Sequence, residues 1–232
     1  MRCRTGVAGG VLAAGWITAV TLAFRSLDHA DALAGTVGVV TAFGVGICAA
    51  AEVMDGLAVL LSVLAAALTG FLMHNWPPAR IGLGATGSLF VGFVLAGAAL
   101  RTRAGQEWAD SAAVLFALSA VAVTDVVLVV LVRRLAGRAL LSGGPDHLAH
   151  RLRRFGLTPQ GVTVVLGACA FGAVLVGVLV HTGAAGAGAA LWVGGGSLVI
   201  VGALLAAGSP GSSRRQPVGR GARLPRPQGG CV

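Results

Sequence analysis

Four groups of residues have the types and spacing to do chemistry. Glu52 and Asp55 stand three apart, so on a helix their carboxylates share a face and can hold a cation or raise one pKa. A polar turn between two apolar helices fits the same pair. His147, His150 and Arg151 fall at i, i+3 and i+4 and can present cationic donors to a diphosphate. An amphipathic helix on a lipid surface also fits them. Asp125 lies deep in the apolar run VAVTDVVLVVLVRR. An ionisable group there costs roughly 2.5–3.5 kcal/mol to insert, so it marks a functional position or pairs with Arg133, Arg134 or a neighbouring helix. The fourth group is Gly70 to Phe93, where a polar loop carrying Asn75, Pro77, Pro78 and Arg80 leads into Gly82, Gly84, Gly87 and Ser88. The prolines forbid a helix running straight through. The glycines let backbone N–H groups approach a ligand, Ser88 can cap the next helix, and a helix start behind such a loop attracts phosphate.

The elements that position these groups are membrane helices. Of 232 residues, 56% are hydrophobic and 11% charged, against about 25% charged in soluble domains. The apolar residues come in seven runs, most of roughly 17 to 22 residues, the length that crosses about 30 Å of hydrocarbon. The runs are 7–24, 33–51, 57–73, 88–100, 111–132, 161–180 and 187–207. The fold expected is an all-α polytopic membrane protein with about seven hydrophobic helices, six or seven of them spanning. Residues 1–207 form the helical domain. The basic tail, 208–232, rich in Gly, Pro, Ser and Arg, is expected to be disordered. The first run reads as an uncleaved helix, since no clear A-x-A site follows it.

The formal charge is +9, and none of the 17 basic residues is lysine. No lysine can therefore serve as base, Schiff base or phosphate clamp. The loop 133–160 holds Arg133, Arg134, Arg138, Arg151, Arg153 and Arg154, which places it and the tail in the cytoplasm. No aromatic residue interleaves the tail's charges, and no nucleic-acid partner is expected. The four cysteines make no CxxC and no metal site is expected. His29, between Asp28 and Asp31, offers metal-ligand atoms, but an exposed turn histidine is the expectation. Gly82 to Gly87 spells GxGxxG, yet no strand precedes it, so a dinucleotide fold is set aside. Run 57–73 either spans or is re-entrant. The first puts Glu52–Gly56 outside and fits the length and apolarity of the run; the second fits the arginines.

The stretch from Phe71 to Gly92 resembles the loop FL-x-x-N-x-x-PA-x-[IV]-F-[ML]-G-D-x-GSL-x-x-G of the polyprenyl-phosphate N-acetylhexosamine-1-phosphate transferases, glycosyltransferase family 4. Phe71, Leu72, Asn75, Pro78, Ala79, Ile81, Gly84, Gly87, Ser88, Leu89 and Gly92 match. Gly82 replaces the phenylalanine that stacks on uracil in the family, and Ala85 the aspartate that ligates Mg²⁺. Asp55-Gly56-Leu57-Ala58 resembles the end of the family's N-A-x-N-x-x-D-G-x-D-G-L-A, with Glu52 at the first aspartate. Asp125 lies ahead of Arg133, Gly137 and Arg138 as in the family's D…R-x-x-x-G-[RK]. His147, His150, Arg151 and Leu152 match its D-x-x-H-x-H-H-R-L, with Asp146 out of register. The match covers about residues 42–180, and the family's first helices and its aspartate-pair-and-lysine motif are missing.

The resemblance implies catalytic roles for Asp55 and Asp125. It implies phosphate or nucleotide-sugar binding by Asn75, Gly84, Gly87, Ser88, His147, His150 and Arg151. Mg²⁺ is the implied cofactor. A polyprenyl phosphate lipid and a UDP-sugar are the implied partners, with homo- or hetero-oligomers in the membrane. The implied setting is cell-wall glycan synthesis in a bacterial plasma membrane. With Ala85 and Gly82 in place, the expectation is a phosphotransferase relative with impaired or lost catalysis, a pseudoenzyme. The alternatives are an active glycosyl-1-phosphate transferase and a non-enzymatic scaffold or transporter-like protein.

Overall fold

The computed structural model describes residues 7–135, 137 and 147–207. Asp146, Arg138 and the tail lie outside them. The described residues form eight helices: α1 (Val7–Leu27), α2 (Leu33–Ala51), α3 (Asp55–Asn75), α4 (Gly84–Thr102), α5 (Trp108–Leu135), α6 (Leu148–Arg154), α7 (Pro159–His181) and α8 (Ala189–Ala207). All but the seven-residue α6 are long and apolar enough to cross a membrane. No strand occurs among the described residues.

The helices are longer than the apolar runs because polar residues complete their ends. The second half of the glycine-rich turn is already helical, so α4 starts at Gly84. α5 absorbs Arg133 and Arg134 in its last turn, where cations favour the helix dipole. α7 begins on a local signal: Thr158 accepts the Gly161 N–H at 3.0 Å and Pro159 opens the helix. The run after Glu52 is one unbroken helix of 21 residues, Asp55–Asn75, about 31 Å at 1.5 Å per residue. It is long enough to cross, and α3 packs antiparallel along α2.

Alternation of the seven long helices gives the bundle two ends. One end gathers the turn 28–32, the loop 76–83, and α6 with the loop into α7. The other gathers 52–54, 103–107 and 182–188. α2 and α5 are central, with 61% and 67% of their spanning stretches buried. α3 and α8 are 17% buried and turn most of their surface outward. Close approaches use small residues, as membrane helices require. A Cβ on Gly92 of α4 would lie 2.9 Å from the Thr21 Cα of α1. The motif's last glycine is thus a helix-packing residue.

Candidate functional site

Asp125 is the centre of the first-named end. It is fully buried in α5, where an isolated carboxylate would be costly. Three donors meet it. Ser26 at the end of α1 donates to Oδ2 at 2.7 Å. The Leu148 N–H, at the start of α6, donates to Oδ1 at 2.8 Å. His147 brings Nδ1 to 3.1 Å from Oδ2. The ring of His29 stacks on His147 with centroids 3.9 Å apart, and His150 follows at 5.2 Å from His29. His29 is partly buried and its Nε2 fully so, which corrects the expectation of an exposed turn residue. Burial holds its imidazole below the usual histidine range. Burial and the neighbouring His147 push His150 the same way.

Beside this cluster lies a polar cavity of about 250 Å³, lined by Asp28, Asp31, Asn75, Arg80 and Gly82 among others. Asn75 holds it together. Its Oδ1 accepts the Ala32 N–H at 2.8 Å and its Nδ2 donates to the Ile81 carbonyl at 2.6 Å. The Asp31 carboxylate accepts the Ala79 N–H at 3.4 Å, and its carbonyl accepts Thr163 Oγ1 at 3.1 Å. Burial pushes the Asp28 carboxyl up, opposed by Arg25 and by the amides of Gly84 and Leu83. A carboxylate, a second carboxylate three residues on, and the glycine-rich helix start therefore share one mouth.

Asp125, His147 and His150 come together, while Asn75 lines the adjoining cavity and the Gly84 amide faces Asp28. Arg151 is buried and donates to the Leu204 carbonyl of α8 at 2.6 Å. Ser88 is also buried. Its hydroxyl donates to the Gly84 and Ala85 carbonyls at 2.7 and 3.2 Å, inside its own helix rather than at the cap. Gly87 packs against Leu83, whose Cγ would lie 2.9 Å from an added Cβ.

Asp55 begins α3 at the opposite end of the bundle, a full helix length from the cavity. With it goes a second polar group. Arg103 meets His181 Nδ1 at 2.8 Å and Ser111 at 3.4 Å, Gln106 donates to Glu52 at 3.2 Å, and His181 Nε2 lies 3.5 Å from Glu52. These contacts tie the α2–α3 and α4–α5 connections to the end of α7.

The placement exposes a better register for the aspartate-pair pattern. Set against N-A-x-N-x-x-D-G-x-D-G-L-A, residues 22–34 supply Ala23, Asp28, Asp31, Leu33 and Ala34 in order. Both asparagines and both glycines are replaced, the glycines by His29 and Ala32. Ala32 has φ 61°, the left-handed conformation that favours glycine, at the position where the pattern has one. In this register α2 and α3 cross and return between the aspartates and the FL-x-x-N loop. No shortened segment is needed, and the unbroken 21-residue α3 fits the spanning reading of run 57–73. Nothing in the sequence marks Ser26, and His29 offers ligand atoms there only as an exposed turn residue; the spacing of Asp28 and Asp31 ahead of Leu33-Ala34 is the signal that identifies this turn.

The profile of glycosyl transferase family 4 matches residues 4–103, which includes Asp28 and Asp31 and begins well upstream of Ala42. A Streptomyces coelicolor protein provisionally named a glycosyltransferase is 63% identical over 230 residues, 95% of this chain and 56% of its own. Decaprenyl-phosphate N-acetylglucosaminephosphotransferase of Mycobacterium tuberculosis is 33% identical over 175 residues, 65% of this chain and 43% of its own. Phospho-N-acetylmuramoyl-pentapeptide-transferase of Mycolicibacterium gilvum is 34% identical over 142 residues, 61% of this chain and 36% of its own. The chain spans about half the length of the curated relatives it matches.

Proposed function

We propose, from the premise that the chain belongs to glycosyl transferase family 4 and is a multi-pass membrane protein, that it binds a UDP-N-acetylhexosamine and a polyprenyl phosphate at the Asp125 end and transfers the sugar phosphate slowly or not at all. The observation that carries this reading is the convergence of Asp28, Asp31, Asn75 and Arg80 on one polar cavity, from segments far apart in the chain. Arg25, Arg80, Arg133, Arg134, Arg153 and Arg154 lie at the same end, which by the positive-inside rule faces the cytoplasm, where nucleotide sugars are made available.

The cavity's donors fit Mg²⁺ arriving with substrate phosphates. Two carboxylates suffice for such an ion, since it keeps water and phosphate oxygens as its other ligands. Asp28 and Asp31 would hold it. Bound there, Mg²⁺ would neutralise diphosphate charge as the sugar phosphate moves. Ala85 contributes no oxygen where the family pattern has an aspartate, and this is the reason for weak turnover. Arg80 would pair with a phosphate oxygen, and the amides at the start of α4 would add neutral donors. An apolar groove of about 340 Å³ between α5, α7 and α8, lined by Val121, Leu166, Trp192 and Ile200, reaches Leu148 beside the cluster and suits an isoprenoid chain.

The test is purified protein in detergent with UDP-GlcNAc, undecaprenyl phosphate and Mg²⁺. The expected result is a thermal shift with UDP-GlcNAc and UMP release near background. UMP release well above that of an Asp28→Asn, Asp31→Asn variant would establish a working transferase. No shift with either substrate would remove the family reading of this cavity.

A further inference from the structure

We propose that His29, His147 and Asp125 form a binding site for a divalent transition ion of the zinc type, separate from the carboxylate cavity that suits magnesium. Among the described residues these three alone form a group of His, Cys, Asp or Glu whose ligand atoms all lie within 4.8 Å of one another. Zinc bonds of about 2.0–2.1 Å in a tetrahedron would draw such atoms to roughly 3.3 Å apart. The cluster therefore needs a contraction, not a rebuilding.

At His29 the proton position favours a metal, while His147 Nδ1, 3.1 Å from Oδ2, would give up its proton as the ion binds. His29 Nδ1 sits against the Ser26 carbonyl. A carbonyl can only accept, so Nδ1 carries the proton and Nε2 keeps a lone pair. That Nε2 is buried and has no hydrogen-bond partner among the described residues. Buried polar atoms are rarely left so, and a backbone carbonyl on the far nitrogen is the usual support of a metal-bound histidine. The stacked His29 and His147 rings, 3.9 Å apart, would repel if both were charged. The neutral imidazole is the form that binds metal. Asp125 supplies the negative charge. The donors named around it are a hydroxyl, an amide and an imidazole, none of them permanently cationic.

Two imidazole nitrogens and one carboxylate favour zinc, cobalt or nickel over magnesium. Three protein ligands leave a fourth position to water. His29 occupies a place where the family pattern has glycine, so this site belongs to this chain's own residues. The site is read through metal binding alone and stands or falls apart from sugar-phosphate transfer.

The experiment is a titration of the purified, chelator-stripped full chain in detergent with Co²⁺. The expected result is the intense visible absorption of four-coordinate cobalt, saturating at one ion per chain. Zn²⁺ should bleach it, and Mg²⁺ in roughly 100-fold excess should not. His29→Ala and His147→Ala should each weaken Co²⁺ binding about 100-fold, while His74→Ala leaves it unchanged. Metal-free melting curves confirm that each variant folds, and His29→Asn replaces the alanine variant if it does not. Absence of the absorption band, its survival in both histidine variants, or equal competition by Mg²⁺ would overturn the proposal.

Discussion

The two ends of this bundle carry similar residues and treat them differently. Each has carboxylates, histidine and arginine. At one end Glu52, Arg103, Gln106 and His181 join connections, and the Glu52 side chain is one-third exposed. At the other a carboxylate is sealed inside a spanning helix, two distant segments, around Ser26 and around His147, supply its surroundings, and a polar cavity opens alongside. Residue type alone does not separate a fastening from a site. Complete burial of the carboxylate, and the cavity beside it, do.

The largest effect should come from Asp125→Ala. It strands the Ser26 hydroxyl and the Leu148 amide without their acceptor and should cost about 3–5 kcal/mol, measured by unfolding in detergent. Glu52→Gln at the other end should cost about 0–1 kcal/mol. Equal losses would break the distinction between the ends. Asn75→Ala should come next, about 1–3 kcal/mol, because it leaves the Ala32 amide and the Ile81 carbonyl unpaired. UDP-GlcNAc binding should weaken with it. Ala85→Asp should tighten Mg²⁺-dependent UDP-GlcNAc binding about tenfold, or about 1.4 kcal/mol, read by calorimetry at fixed nucleotide sugar. The smallest effect sharpens the register of the aspartate turn. Ala32→Gly should stabilise by about 0.5 kcal/mol, since relief of the left-handed backbone slightly exceeds glycine's entropic cost.

Much of this architecture was legible in the chain. Lipid demands long apolar helices, and runs such as 33–51 and 161–180 coincide with α2 and α7 to within a few residues. Asp125, His147 and His150 stood out because a charge in hydrocarbon and a histidine pair at helical spacing are strong signals. The structure places Glu52 and Asp55 at the far end of the bundle from Asp125, and the local pattern gives no sign of that. The contiguous Asp55-Gly56-Leu57-Ala58 looks like the pattern, whereas the turn that occupies its place has lost both glycines. Ala32 keeps the backbone shape without the residue that announces it. His29 was undervalued because a histidine between two aspartates reads as solvated, and only the packing of α1, α5 and α6 encloses it. Asn75 and Ser88 were read as ligand groups, yet their polar atoms are engaged by the scaffold, a fact that depends on neighbours no local pattern contains.

Gly92 has a consequence beyond the contact it makes. α1 delivers Asp28 and α4 delivers the Leu83 and Gly84 amides, and the two helices touch where Gly92 meets Thr21. Eight residues, about 12 Å, separate that touch from the water's edge. A single missing methyl, well inside the lipid, therefore acts as a shim that sets how far an acid stands from the amides facing it.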